Sequence, residues 1–470
     1  MNWQDSSSYK QYIPTALKGI FLAAVGYLGV SFVSRKIFKS AANKISNRLA
    51  TDKYDENMFD FLRSIVRTSP QAILETNLRS QEGKRIWRPL GSSKKLLEFS
   101  SLMFSMAQLQ TLPTPYTQNV DTRVVIGPRA KKPMQIDIPI IAAGMAYGLA
   151  LSEKSKVAIA MGTARVGTAT NTGEGAFCEK ERSAAQKLII QYNRAKWNKT
   201  PEVLKKADMI EIQLGQGGIA GLGHKIPAKD ITPKLAKLMG LNTGEDAVVH
   251  ARINEPFSQA KLKSLVEYLR DLTGGVPIGI KMGAGKDLEK DLEHAVNAGV
   301  DAIALDGAEA ATVGSQPIIQ DDFGLPTLLA VSRAGKYFEL NNLKGKISLI
   351  VGGGLFQPGD YLKALALGAD AIYIGTIILF SISHLENLKA LPFEPPAQIL
   401  WETGHFKNKF NEVKGAANLE RYLKSCKFEL EDGVRALGKT DIKEVNKEDM
   451  FTLDPRIAML TGVDLGYKAD

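Results

Sequence analysis

The sequence predicts an α/β protein built on a (β/α)8 TIM barrel, with helical flanks and an N-terminal transmembrane helix. Three observations carry the barrel. Eight short β-rich runs follow residue 136, helical stretches fall between them, and the series spans about 240 residues, the size of such a barrel. Nearly every run also ends in Gly, Ala, Thr or a charged residue, so small and polar groups gather at one end of the strands, where barrel active sites lie. A doubly wound sheet is the structural competitor.

The runs, in order, are IPIIAAG (138–144), ARVGTAT (164–170), MIEIQLG (209–215), VVHARI (248–253), VPIGIKM (276–282), AIALDG (302–307), ISLIVGGG (347–354) and AIYIGT (371–376). Helical stretches such as SEKSKVAIAM, QAKLKSLVEYLRDL, LEKDLEHAVNAG and GDYLKALALGAD alternate with them. The run RVGTATNTGEG (165–175) is polar, small and flanked by apolar segments, which suits a backbone that must come close to something bound. GGGLFQPGD and IGT put glycines after the seventh and eighth runs, the usual phosphate site of barrels, where backbone N–H groups face an anion. GQGGIA (215–220) fits a dinucleotide-binding pattern, but the GLGHKIPAKD after it is a loop rather than the start of a helix.

Ahead of the barrel the charge is uneven. Residues 1–50 carry seven Lys/Arg against one Asp, and residues 51–135 carry thirteen against eight acids, so a net charge of +10 leaves −1 for residues 136–470. A nucleic-acid binder would carry its basic stripe on the folded domain, so no nucleic-acid partner is expected. The uncharged run Gly19 to Ser34, followed by Arg35, Lys36, Lys39, Lys44 and Arg48, reads as a single-pass anchor in the lipid of the cell membrane, with the barrel on the cytoplasmic side. Two distant cysteines, Cys178 and Cys426, indicate no disulfide framework, and five histidines show no metal-ligand spacing, so no metal site is expected. The expected domains are an anchor and basic segment over 1–50, a helical cap or spacer over 51–135, the barrel over 136–390, and a helical segment over 391–470 packed on the barrel. FDFLRSIVR, KKLLEFSSLMFSMAQLQ and residues 415–438 supply the helical patterns of these flanks.

IAMGTARVGTATNTGEG (159–175) resembles the FMN-binding domain of glutamate synthase, whose pattern is close to I-A-M-N-R-I-G-G-K-S-N-T-G-E-G. IEIQLGQGG, IGIKMGAG, GGLFQPGD and YIGT extend the resemblance over roughly residues 85–450, and it looks closest to the stand-alone, membrane-anchored members. The resemblance implies FMN as cofactor. Ala143, Gly144 and Met145 would touch its ring, Arg165, Gln216 and Lys281 would bond its polar edge, and Gly353, Gly354, Gly375 and Thr376 would hold its phosphate. Glu174 and Asn171 would face the substrate, and Lys281, Glu174, Gln216 and Asn171 would form the catalytic set.

Departures from the family are equally specific. The family's three cluster cysteines are missing from SISHLENLKALPFEPPAQILWETG, so no iron–sulfur cluster is expected. The K-P-G-E-G-G loop reads Ile219-Ala220-Gly221-Leu222-Gly223-His224, which loses the lysine that binds the oxo acid, and the strand-six glycines are Ala310 and Ala311. The expected activity is reduction of a 2-imino acid, formed from 2-oxoglutarate and ammonia, to an amino acid such as L-glutamate. A glutaminase domain is not expected, and the electron donor is left open. The alternatives are a flavin enzyme for another amino, 2-oxo or 2-hydroxy acid, or a membrane-tethered flavin-binding scaffold.

Overall fold

A computed structural model describes residues 33–219, 221–253, 258–310, 315–393 and 395–467. Two compact units divide the chain between Ile86 and Trp87. In the first, residues 33–51 are helical and are followed by helices Met58–Thr68 and Pro70–Glu82. The side chains of Asn57 and Ser69 cap the latter two by accepting from Phe59 N and Ala72 N.

Among the described residues, no helix is long and apolar enough to cross a membrane. This corrects the expectation of a single-pass protein. Val33 and Ser34 are the described part of the uncharged run, whose other residues, like Ala220 and Ala311, lie outside the description. The helix that these two open takes in Arg35, Lys36, Lys39, Lys44 and Arg48 within 19 residues (33–51), too many charges for a spanning segment.

The second unit is built on eight parallel strands: β1 (Ile140–Ala142), β2 (Ala169–Asn171), β3 (Lys187–Tyr192), β4 (Met209–Gln213), β5 (Ile278–Gly283), β6 (Ala302–Asp306), β7 (Ser348–Gly352) and β8 (Ala371–Ile374). The ladder runs β1-β8-β7-β6-β5-β4-β3-β2. No ladder joins β1 to β2 among the described residues, but Thr168 Oγ1 donates to Ile140 O at 2.6 Å and Asp137 N donates to Gly167 O at 2.9 Å. The barrel is therefore nearly closed. Both faces of β4, β6 and β7 are buried, which is why these runs read as continuous apolar stretches rather than alternating ones.

Helices follow the strands: α1 (Glu153–Ala164), α2 (Glu179–Ala184), α3 (Pro201–Leu204), α4 (Gln259–Thr273), α5 (Leu288–Asn297), α6 (Thr327–Leu340), α7 (Pro358–Ala366) and α8 (Thr376–Ser383). A long helix, α9 (Glu412–Ala436), buries Leu419, Leu423, Cys426 and Leu430. Leu419 lies so close to Gly162 of α1 that a Cβ there would come within 2.8 Å of it. The Tyr422 hydroxyl meets that of Tyr361 on α7 at 2.7 Å. Burial holds the thiol of Cys426 up at about 11 and pushes that of Cys178 up as well, so neither is a ready thiolate.

Two strand assignments differ from expectation. VVHARI is not a barrel strand: Ala247–Val249 pairs antiparallel with His224–Ile226, with Val248 exposed. This hairpin packs a small apolar cluster, including Leu235 and Met239, against Tyr147 and Trp197. The true third strand is KLIIQY, which is followed by Asn193 and Arg194 and so lacks the small-residue ending of the others. Likewise KKLLEFSSLMF is not helical. Phe99–Ser101 forms one 3-10 turn, and Leu102–Phe104 pairs antiparallel with Met450–Thr452, a tertiary partner that overrides the local helical spacing.

Candidate active site

The C-terminal ends of the strands line a cavity. Ala143, Gly144 and Met145 after β1 line it, with Glu174 after β2, Gln216 after β4, Lys281 on β5, and Gly353 and Gly354 after β7. Gly375 and Thr376 after β8 complete the wall, with Asp306, Glu309, Ile219, Tyr373 and Trp401. Gly215 to Ile219 therefore belong to the loop after β4, and the next described element is the hairpin, not a helix.

The loop Thr172 to Gly175 is glycine-rich for a reason other than the one expected. Gly173 takes φ 63°, and a Cβ on it would lie 2.8 Å from Met145 N. On Gly175 a Cβ would fall 2.3 Å from Tyr147 N and O. The close approach is to the backbone of the β1 loop, and Ala176 N donates to Tyr147 O at 3.1 Å. Two strand-end loops are thereby locked together, which fixes Glu174 at the cavity wall.

Beneath the cavity lies a buried hydrogen-bond hub. The Glu211 carboxylate on β4 accepts from Asn171 Nδ2 at 2.8 Å, Gln191 Nε2 at 2.7 Å and the Tyr373 hydroxyl at 2.7 Å. Burial and Glu211 push the Tyr373 phenol far above its ordinary pKa, so it stays a donor. Lys281 Nζ sits 3.1 Å from Asp306 Oδ2 and 4.8 Å above the Tyr373 ring. Burial opposes the lysine's charge, but the carboxylates of Asp306 and Glu211 outweigh it and hold the ammonium above its ordinary pKa. Asp306 also accepts from Gly217 N at 3.3 Å. Gln213 Nε2 donates to Gln216 Oε1 at 3.0 Å, and the Oε1 atoms of Gln191 and Gln213 are buried without a hydrogen-bond partner among the described residues.

At the other end the wall is backbone. Gly375 caps α8 without a side-chain hydrogen bond, so the first N–H groups of that helix have no side-chain acceptor there. A Cβ on Gly375 would meet nothing nearer than the Ala143 Cβ, at 3.8 Å, and would enter the cradle. Gly353 differs: at φ 119° its Cβ would press within 2.9 Å of Ala310 N, so this glycine is required by packing. Glu309 beside Gly354 accepts from Thr327 N at 2.8 Å and from Thr327 Oγ1 at 2.6 Å, which turns it toward the start of α6.

Two expected site residues are elsewhere. Arg165 caps the C-terminal end of α1 and pairs with Glu420 on α9 at 3.2 Å, with a third of its side chain exposed. The helix continues through Ala164, which carries the arginine to the barrel's outside and away from the cavity. Arg165→Ala is therefore expected to leave ligand retention unchanged and to cost at most about 1 kcal/mol, checked by urea unfolding. Asn171 is fully buried, and its amide is committed to Glu211, Tyr373 and, through Oδ1, Gly173 N at 2.9 Å. It holds the loop instead of facing substrate. Residues that the sequence left unmarked include Glu211, Asp306, Tyr373 as a donor, and Arg194 and His224 beside Glu174.

Residues 90–439 match the family described as the conserved region in glutamate synthase. A glutamate synthase large subunit-like protein of Rhizobium meliloti is 32% identical over 397 residues, which cover 80% of this chain and 89% of that protein. An archaeal NADPH glutamate synthase of Archaeoglobus fulgidus is 32% identical over 320 residues, 67% of this chain and 62% of that one. Among solved structures, a flavocytochrome b2 variant with sulfite bound is similar in fold, with a TM-score of 0.51 over 79% of this chain and 80% of that one at 18% identity.

Proposed function

The chain belongs to the glutamate synthase family, oxidoreductases acting on CH–NH2 donors, and from that membership we propose that it is an FMN-dependent enzyme that reduces a 2-imino acid, formed from 2-oxoglutarate and ammonia, to an amino acid such as L-glutamate. The observation that carries this is the cavity's polarity: an unobstructed backbone cradle at the start of α8 on one side and a buried, charged lysine on the other. The residues fit FMN. Gly375, Thr376 and Gly354 suit its phosphate. Gln216 at the cavity wall suits the polar edge of a flavin ring, and Ala143 to Met145 suit its flat face.

The chemistry that FMN supplies when bound is two-electron transfer to the carbon of the substrate. Lys281 Nζ, kept protonated by Asp306 and Glu211, supplies fixed positive charge where negative charge develops. Gln216, braced by Gln213, orients the polar edge of the cofactor. Glu174 faces the reacting nitrogen of the substrate. Leu379, Ile377 and Trp401 narrow the cavity and limit water.

The visible spectrum of the purified protein, before and after dithionite and then 2-oxoglutarate with ammonium, tests the proposal. Flavin bands that bleach and then return with the substrates support it; a protein that holds no flavin after supplementation overturns it. Gly375→Val supplies a sharper probe, since its side chain enters open space. The variant is expected to unfold within about 1 kcal/mol of wild type and to retain little FMN, read by flavin released per protein. A second reading has one observation in its favour: Ile219, buried at the cavity wall, stands where the family's loop has the lysine for the oxo acid. It keeps the flavin and assigns another 2-oxo, amino or 2-hydroxy acid, which a substrate panel followed by flavin absorbance distinguishes.

A further inference from the structure

The charge balance of the cavity is unfavourable for an oxo acid. Glu174, Asp306 and Glu309 all line it, and Lys281 is already paired with Asp306 at 3.1 Å. An oxo acid brings at least one further carboxylate.

Behind Glu174 lies Arg194, on the segment that leaves β3, with a side chain that has no exposure to solvent. Its Nη1 donates to Ala251 O at 3.2 Å, whereas Nε and Nη2 have no hydrogen-bond partner among the described residues. Those two atoms form the guanidinium edge that takes a carboxylate through two parallel bonds. Glu174 Oε2, also without a hydrogen-bond partner, lies 3.9 Å from Nη2, beyond hydrogen-bond reach. Its Oε1 instead lies 3.3 Å from His224 Nε2 on the hairpin. A buried guanidinium with an unfilled edge is costly. Burial pulls its pKa down, and Glu174 offsets only part of that. A movement of about 1 Å by the carboxylate brings Oε2 within hydrogen-bond reach of Nη2.

The geometry points to Glu174 as a carboxylate with two positions and to Arg194 as the residue that positions it. Turned toward His224, Glu174 presents its charge to the cavity and suits an ammonium or imine nitrogen. Drawn into the Arg194 edge, it withdraws that charge and lets a substrate carboxylate enter. Arg194 thereby does at a distance what a cavity lysine would do by contact. The inference rests on the oxo-acid reading above.

Calorimetric titration of 2-oxoglutarate into the purified full chain reads this without turnover. Wild type is expected to bind. Arg194→Lys keeps the charge and loses the two-donor edge, and is expected to bind about tenfold more weakly, the equivalent of 1.4 kcal/mol. Adding Glu174→Gln to it should recover most of that loss, because no charge then has to be withdrawn. His224→Ala leaves the buried pair intact and should bind at least as tightly as wild type, which keeps the test open if the buried substitutions impair folding. Wild type that binds neither 2-oxoglutarate nor pyruvate overturns the oxo-acid reading and this inference with it. Wild-type binding with an unchanged constant in Arg194→Lys, no recovery in the double variant, or weaker binding by His224→Ala overturns the positioning role alone.

Discussion

Lys281→Met is expected to lower the midpoint potential of the bound flavin by roughly 30–60 mV and to destabilise the protein by about 3–5 kcal/mol. The two effects have separate causes. A fixed cation at the ring's polar edge stabilises the reduced, more negative form over the oxidised one. A charge-assisted bond of that kind contributes about 1.5–3 kcal/mol, and for a two-electron couple about 30 mV corresponds to 1.4 kcal/mol. The stability loss comes from Asp306, which is buried and, among the described residues, keeps only Gly217 N as a hydrogen-bond partner once the lysine is gone. Lys281→Met with Asp306→Asn separates them. Stability should return toward wild type, since no charge is stranded, while the potential stays low. Spectroelectrochemical titration and urea unfolding of the three proteins check this. An unchanged potential in Lys281→Met with flavin fully bound places the lysine away from the ring.

What the sequence disclosed depended on where each residue's surroundings are decided. The eight-fold alternation was legible because apolar runs and helical spacing are local properties, and the glycine-lined end of the cavity was legible because glycines cluster at Gly352 to Gly354 and recur at Gly375. Lys281 stood out as a charge inside an apolar strand. Glu211 did not, although it is the same kind of anomaly within MIEIQ. When both faces of a strand are buried, the apolar run does not say which residues point into the barrel.

Arg165 failed for a related reason. The string ARVGTAT has a β-rich composition, but its first two residues finish α1, and a helix end decides facing by where it stops. Arg194 was hidden twice, first because the strand before it lacks the small-residue ending, and then because its counter-charge Glu174 lies on a different loop. The glycines of T-N-T-G-E-G were informative about closeness and silent about what was close. The neighbour is the β1 loop, brought there by the ladder.

Glu211→Leu is expected to be about as damaging as Lys281→Met, although Glu211 is not among the residues lining the cavity. Its carboxylate answers three donors at once, from Asn171 on β2, Gln191 on β3 and Tyr373 on β8. Each donor left buried without a partner costs about 1–3 kcal/mol, so about 2–6 kcal/mol is at stake even if one donor rotates to a new acceptor. Glu211→Gln keeps the shape and one acceptor oxygen but turns a donor toward donors, so its loss should be smaller, about 1–3 kcal/mol. The consequence for the site runs through Asn171, whose Oδ1 holds Gly173 N and so the loop that carries Glu174. It also runs through Lys281, for which Glu211 is the second carboxylate holding its pKa up. Urea unfolding should rank the proteins wild type, Glu211→Gln, Glu211→Leu, and limited proteolysis should open the loop over residues 171–176 first in Glu211→Leu. Stability within 1 kcal/mol of wild type in Glu211→Leu, with that loop equally protected, means that the three donors find other partners and that the hub does not hold the floor of the site.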